Sequence, residues 1–284
     1  MVADQARGVC SSVRMAVAVI VLSLCLMACQ TVPETEREQL LLTSPDLEKA
    51  LGDQAFSQVM RSHQEIVEGQ DYETLQRVGR RIVSVAQPEL AARGFGDLEW
   101  SFHLIDDDTA NAFVVPSGQV VFFQGIMPIL ENEAGVAAVM GHEVAHVIAR
   151  HGGERISQRL LVSSGTLLAA SALSDDPDEG ERWLGALGLA ALFAMEMPYS
   201  RTHESEADYL GTRLMAKAGY DPEEAVRVWE RMEAATLSLP AFLSSHPTSR
   251  SRRDALEADL PVFRELMPDA DKQSPVPVKG VGGH

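Results

Sequence analysis

The chain has 284 residues, of which 45% are hydrophobic and 23% are charged, an ordinary composition for a globular protein. This length accommodates one large domain with a substantial core, or two small ones. The formal net charge of −17 argues against nucleic-acid binding, which requires basic patches, and is compatible with a solvated, self-repelling surface.

Residues 1–28 predict a lipoprotein signal peptide rather than part of the fold. An apolar run at 15–28 follows two arginines and is shorter than most membrane spans. It leads into the sequence Leu-Met-Ala-Cys, which resembles a bacterial lipobox and would make Cys29 the lipidated first residue of the mature protein. Because Gln30 follows instead of Asp, the same resemblance implies the outer membrane, facing the periplasm. A plain signal peptide and an uncleaved anchor are the alternatives.

Composition divides the rest of the chain into three parts. Residues 29–45 are polar, contain two prolines and predict a tether. Residues 266–284 are rich in proline, glycine and charge and predict a disordered tail. The folded domain is expected between them, over residues 46–265. No cysteine follows Cys29, so metal ligands of this domain must be histidines or carboxylates.

The first part of the domain predicts helices followed by a small sheet. Residues 46–87 have helical periodicity, and the alternation at 100–105 predicts a strand. The acidic run at 106–108 is expected to be a solvated loop, with a calcium site as the alternative. Two β-rich runs around the Pro-Ser-Gly turn at 116–118 predict a hairpin. Its first strand supplies three residues that we expect to lie along an extended substrate backbone: Asn111, Ala112 and Phe113.

The motif His142-Glu143-Val144-Ala145-His146 matches the H-E-x-x-H pattern of zinc peptidases. Asn132 is a good N-cap, Gly152-Gly153 predicts a stop, and the apolar residues between them predict a buried helix. On a helix the two histidines are about 40° apart and one turn along, so both can bind one Zn²⁺. Glu143 lies in the same sector and would act as the general base toward the attacking water. The alternative is a chance match whose histidines are satisfied within the core.

A catalytic zinc takes three protein ligands, so a third must come from elsewhere in the chain. His151 is one residue out of register for the pattern H-E-x-x-H-x-x-G-x-x-H, which excludes that class. A later helix carries Glu204 and Asp208 one turn apart on its apolar stripe, where buried carboxylates need a compensating cation such as Zn²⁺. We expect Glu204 to be the third ligand and Asp208 to accept from the outer ring nitrogen of a zinc-bound histidine. Glu206 is expected to be a solvated surface charge, and His203 to be exposed or at the rim of the site.

The remaining features have less specific patterns. The small-residue helices predicted at 156–173 and 183–197 are expected to form a packed hairpin, with a membrane-spanning pair as the alternative. Trp229 is expected in the core. His246 lies in a loop before Pro247 and, from its surroundings in sequence alone, is a surface histidine.

Four motifs carry a family resemblance: NAFVVPSGQVVFFQG at 111–125, GHEVAHVIARH at 141–151, ESEAD at 204–208 and HP at 246–247. Together they resemble the HtpX-like, CAAX-prenyl-protease-like family of zinc gluzincin peptidases, and in particular its periplasmic lipoprotein branch. The resemblance implies an α+β, predominantly α-helical, zincin-like domain with a small edge sheet beside the H-E-x-x-H helix. It also implies that His246 either stabilises the oxyanion or reversibly caps the zinc. Pro-Ser-Gly replaces the family's more usual Pro-Gly-Gly, which changes the turn and not the chemistry.

The sequence therefore predicts a zinc-dependent endopeptidase of the bacterial cell envelope, with one Zn²⁺ per chain. Its expected substrates are extended polypeptides from misfolded or misassembled envelope and outer-membrane proteins. The lipid anchor would contact the membrane, the outer-membrane assembly machinery is a candidate partner, and no nucleic acid is expected. One alternative is a chaperone or assembly factor for outer-membrane proteins with secondary peptidase activity. Another is a lipoprotein with structural zinc, against which Glu143 argues because a structural site needs no base.

Overall fold

The computed structural model describes residues 29–171, 199–235, 240–247 and 250–268. The predictions for the signal peptide, for a helix at 183–197 and for the tail beyond residue 268 lie outside these residues. In the part of the chain that is described, no helix is long and apolar enough to cross a membrane.

Helices dominate the described chain, with a small sheet beside them. The helices are α1 (Pro45–Met60), α2 (Gln70–Ala92), α3 (Met127–Leu130), α4 (Glu133–Ile148), α5 (His151–Ser171), α6 (Arg201–Lys217), α7 (Glu223–Ala234), α8 (Pro240–Ser245) and α9 (Arg250–Glu265). The strands are β1 (Cys29–Thr31), β2 (Glu38–Leu40), β3 (Glu65–Ile66), β4 (Ser101–Ile105), β5 (Ala112–Val114) and β6 (Gln119–Phe123). The predicted α+β, predominantly helical class is confirmed.

Four of the strands form one sheet in the order β3-β4-β6-β5. β4 pairs in parallel with β6, and β5 pairs antiparallel with β6, with Phe113 opposite Val121. The predicted hairpin is thus present. Gly118 closes its turn with a φ of 97°, a conformation that costs glycine little. β5 is the terminal strand and lies against α4, so the open edge of the sheet runs beside the H-E-x-x-H helix.

α4 forms the centre of the core, and every one of its residues is buried. Its predicted N-cap is confirmed, because the Asn132 side chain accepts a hydrogen bond from the Gly135 N–H at 3.0 Å. α2 and α6 both pack against it. The contact with α6 is close, since a Cβ at Gly211 would lie 2.5 Å from the backbone nitrogen of His142. Glycine permits this approach, which brings the carboxylates of α6 to the histidines of α4.

The predicted stop of this helix at Gly152-Gly153 is wrong. The chain turns instead at Arg150, which has a φ of 56°, and α5 begins at His151 and runs through both glycines. At this turn the Arg150 side chain makes a buried ion pair with Glu48 at 2.6 Å. Gly153 serves close packing, since the Glu48 carboxylate occupies the space that a Cβ there would need.

Residues 29–45, predicted as a tether, are part of the fold. β1 and β2 form an antiparallel hairpin, and Val32 between them is fully buried against alanines and a leucine of α4 and α6. Arg37 makes ion pairs with Glu154 at 2.9 Å and with Glu206 at 2.7 Å. Composition conceals this docking because buried polar side chains, among them Gln39 and Thr43, make part of the contact.

Candidate active site

Four buried side chains converge at the centre of the domain. α4 supplies His142 and His146, α6 supplies Glu204, and His246 directly follows the end of α8. One potential metal-binding atom from each residue lies within 4.8 Å of all the others. The fold thus brings together the three residues predicted as ligands and the histidine that the family resemblance singled out.

The spacing within this cluster fits a single metal ion. His142 Nε2 lies 3.1 Å from His146 Nε2 and 3.6 Å from Glu204 Oε2, and His146 Nε2 lies 3.5 Å from Glu204 Oε1. Ligand atoms of a tetrahedral zinc site are roughly 3.3 Å apart, because each lies about 2.0–2.2 Å from the metal. Burial holds the pKa of His146 well below its usual value, so this ring is neutral, as metal binding requires. These residues therefore fit Zn²⁺ in both spacing and chemistry.

Glu143 lies beside the cluster without belonging to it. The residue is 1% exposed, and its Oε1 accepts no hydrogen bond from any described residue. That oxygen lies 3.6 Å from His246 Nε2. Burial raises the pKa of Glu143, and the nearby His246 and His142 offset only part of this effect. A carboxylate with an open oxygen and a raised pKa suits the work of a general base.

Asp208 lies behind His142, on the side away from the other ligands. Its Oδ1 is 3.0 Å from His142 Nδ1. Arg252 of α9 donates two hydrogen bonds to the same carboxylate, at 2.6 and 2.8 Å, and its Nη1 lies 2.8 Å from Glu204 Oε2. Burial alone would raise the pKa of Asp208, but Arg252 and His142 hold it at about 2. Asp208 is therefore an anion placed to orient the His142 ring.

Arg252 is a site residue that the sequence analysis missed. It is 4% exposed, and its guanidinium carbon lies 4.4 Å from the centre of the Trp229 ring. Trp229 is buried as predicted and also contacts His142, with ring centres 5.5 Å apart. The available signal is the need of two buried carboxylates for a cation, although Zn²⁺ and its histidines also satisfy this need.

The prediction for Glu206 is wrong, because this residue is buried at 5% exposure. His203 is also buried, at 3% exposure, and of its two predicted positions the exposed one is wrong. The Glu206 carboxylate accepts a hydrogen bond from His151 Nε2 at 2.8 Å, and His203 Nε2 lies 3.1 Å from Glu154 Oε2. Burial lowers the pKa of His151 to about 4, so this ring is neutral at physiological pH. Helix periodicity places Glu206 away from Glu204 correctly, but it does not reveal that the β1–β2 hairpin covers this face of α6.

The cluster opens into a cleft of about 590 Å³. Glu143 and His246 line it together with Asn111 and Phe113, two of the three residues predicted to lie along the substrate. The third, Ala112, is fully buried within the sheet. The edge strand β5 therefore runs along the cleft beside the proposed general base.

Peptidases that hold zinc through H-E-x-x-H and a glutamate from a later helix share this arrangement. The fold and the site place the chain in that class of metallopeptidase. The sequence model of peptidase family M48 matches residues 70–259, and the chain belongs to this family. The resemblance to this family of zinc peptidases, inferred from the four motifs, is thereby confirmed.

Individual relatives extend the match. The chain is 38% identical to mitochondrial metalloendopeptidase OMA1 of Schizosaccharomyces pombe, over 81% of this chain and 66% of that protein. It is 31% identical to mitochondrial metalloendopeptidase OMA1 of Saccharomyces cerevisiae, over 85% of this chain and 72% of that protein. It is 26% identical to the beta-barrel assembly-enhancing protease of Yersinia pestis, over 74% and 43%. The match thus spans about two thirds of the first relative and less than half of the last.

Proposed function

We propose that the chain is a zinc-dependent endopeptidase that cleaves extended polypeptides in a bacterial cell envelope. One observation carries the proposal: the buried cluster of His142, His146 and Glu204 lies beside the open Oε1 of Glu143, at a cleft bordered by the edge strand β5. A site that only bound zinc structurally would need neither the unpaired carboxylate oxygen nor the cleft.

Each residue of the site has a distinct task in this reaction. When bound, Zn²⁺ supplies a Lewis acid that polarises the scissile carbonyl and makes water a nucleophile near neutral pH. His142, His146 and Glu204 hold the ion, and Asp208 fixes the orientation of His142. Glu143 accepts the proton of the attacking water at Oε1 and delivers it to the nitrogen of the leaving amine. β5 binds the substrate backbone as an added strand, which keeps the scissile bond extended in the cleft.

His246 occupies the position of a fourth ligand. Its Nδ1 lies 3.3 Å from His142 Nε2 and 3.1 Å from Glu204 Oε1, the same spacing that the other ligands have among themselves. The Phe242 ring stacks on the imidazole, with ring centres 4.8 Å apart, and holds it there. With a metal bound, this geometry would let His246 cap the ion at rest and give way to substrate. The alternative role, stabilising the oxyanion, would not require ligand spacing.

Removing and restoring the metal tests the proposal. The native chain stripped with a chelator should lose hydrolysis of denatured casein and regain it when Zn²⁺ is added back. Glu204→Gln should neither retain zinc through dialysis nor recover activity, because it lacks one anionic ligand. Glu230→Gln, at an exposed position, is the matched control and should behave like the native chain. Native-like recovery of Glu204→Gln would contradict the ligand assignment.

We further propose that Cys29 is lipidated and that the enzyme faces the periplasm from the outer membrane. The lipobox-like sequence before Cys29 and the exposure of this residue support the anchor. The likeness to a relative named for β-barrel assembly supports misfolded or misassembled outer-membrane proteins as substrates. Cells whose only copy carries Glu143→Gln should accumulate such proteins in the envelope, measured by quantitative mass spectrometry. An unchanged envelope proteome would contradict this assignment.

A further inference from the structure

A second series of buried hydrogen bonds begins at the outer nitrogen of His146. His146 Nδ1 lies 2.8 Å from His151 Nδ1, and His151 Nε2 lies 2.8 Å from Glu206 Oε2. Glu206 in turn accepts from Arg37 Nε at 2.7 Å and from the Thr35 hydroxyl. Both histidines and the glutamate are buried. Thr35 and Arg37 belong to the connection between β1 and β2.

The hydrogen-bond chemistry of this series fixes its direction. A carboxylate only accepts, so His151 must donate from Nε2 to Glu206. A neutral imidazole that donates from Nε2 presents a lone pair at Nδ1, to which His146 donates from its own Nδ1. His146 is left with its Nε2 lone pair facing His142 and Glu204 in the metal-ligand cluster. This is the tautomer that a histidine needs in order to bind a metal through Nε2.

We propose that His151 and Glu206 are positioning residues for the metal ligand His146, and that Arg37 fixes Glu206 in place. The inference rests on the proposed metal site. The arrangement parallels the one behind the other histidine of the motif, where Arg252 fixes a carboxylate that contacts the ring. In both cases an arginine holds a buried carboxylate behind a metal ligand. Asp208 contacts His142 directly, whereas the His151 imidazole lies between Glu206 and His146.

The His151 ring is held by packing as well as by its hydrogen bonds. The His203 ring stacks on it, with ring centres 4.5 Å apart and planes inclined by 22°. His203 is itself held by Glu154, and Arg37 joins Glu154 to Glu206 with ion pairs of 2.9 and 2.7 Å. A single arginine of the N-terminal hairpin thus closes the whole network. This makes the hairpin part of the metal-binding apparatus, although it lies far from the H-E-x-x-H motif in sequence.

Metal affinity of the full chain tests the proposal without reference to catalysis. Glu206→Gln keeps the shape of the side chain and removes the charge, so we expect zinc binding to weaken roughly 10- to 100-fold, as is typical for outer-shell partners. The dissociation constant is measured by competition with a chromophoric chelator. Glu38→Gln, at an exposed position of the same hairpin, is the matched control and should bind zinc like the native chain. Equal zinc affinity of Glu206→Gln and the native chain would overturn the proposal.

Arg37 provides an independent variant in case Glu206→Gln folds poorly. Arg37→Gln should also weaken zinc binding, and the two changes combined should weaken it by less than the product of the single effects, because they interrupt one network. Arg37→Lys keeps the charge and should restore part of the affinity. Independent effects that multiply, or no effect of Arg37→Gln, would contradict the coupling.

Two readouts separate positioning from a purely structural role. The visible absorption of the Co²⁺-loaded chain reports ligand geometry and should change in Glu206→Gln, because His146 is no longer held. A structural role would instead lower the unfolding temperature of the metal-free chain and leave the Co²⁺ spectrum and zinc affinity unchanged, an outcome that overturns the proposal. Failure of the native chain to bind zinc would contradict the proposed function itself, so the two failures are distinguishable.

Discussion

Replacing Arg252 with glutamine should destabilise the metal-free protein far more than the same replacement at the next residue. Arg252 lies between the buried carboxylates of Asp208 and Glu204, so the change leaves two charges in the core without a cation. Arg253→Gln is the matched control, because Arg253 pairs with Glu233 at the surface, with the two side chains 24% and 46% exposed.

The structure sets the size of the effect. Removing one partner of a buried ion pair costs about 3–5 kcal/mol. The pKa of Asp208 is about 2 instead of its usual 3.8, which corresponds to about 2.5 kcal/mol at roughly 1.4 kcal/mol per pH unit. This second figure is a net one, because the pKa shift also contains the opposing effect of burial and the contribution of His142. We expect a loss of about 3–5 kcal/mol for Arg252→Gln and of at most about 1 kcal/mol for Arg253→Gln.

The pH dependence supplies a second signature. Because the pKa of Asp208 is lower in the folded chain than in the unfolded one, its contribution is complete above about pH 4. It is lost as the pH falls from there toward about 2. The stability difference between the native chain and Arg252→Gln should therefore shrink over this range.

Urea unfolding followed by circular dichroism in the presence of a chelator measures both signatures. A loss in Arg252→Gln no larger than the loss in Arg253→Gln would refute the reasoning. A difference from the native chain that persists unchanged at low pH would refute it as well.

Three other predictions concern packing, the cap and the anchor. Gly211→Ala should lower both the unfolding temperature and the zinc affinity, because its Cβ would meet the His142 backbone. Gly152→Ala, where a Cβ has room, is the control and should change neither quantity in the same thermal melts and chelator titrations. His246→Ala should retain zinc and hydrolyse casein faster if the residue caps the metal; a fall of roughly 10²–10³ in kcat would instead assign it to the oxyanion. Cys29→Ser should leave an unprocessed precursor without lipid, and recovery of the native mature chain as an unlipidated species would reject the anchor.

Local patterns were sufficient for the residues that share one helix. The spacing of one motif predicts the positions of His142, Glu143 and His146. The apolar stripe of α6, which is buried in the fold, predicts those of Glu204 and Asp208. Such patterns indicate which face of a helix is buried, without identifying the element that packs against it.

Contacts between distant segments could not be read in this way. Arg37 and Glu206 are 169 residues apart, and Arg252 and Asp208 are 44 apart, so no periodicity connects them. Helix periodicity assigns Glu206 to solvent because it predicts a single buried face for α6, whereas the N-terminal hairpin covers a second face. Likewise Gly153 resembled a helix stop, although the fold uses it to admit the Glu48 carboxylate.

The zinc content and the activity of Glu143→Gln, measured on one preparation, test the central claim most directly. Glu143 is placed beside the ligand cluster as its base and not as a ligand. The variant should therefore hold about one zinc per chain, as a site with three protein ligands does, and should not hydrolyse casein. A variant that still cleaves casein, or one that has lost its zinc together with its activity, would contradict the account.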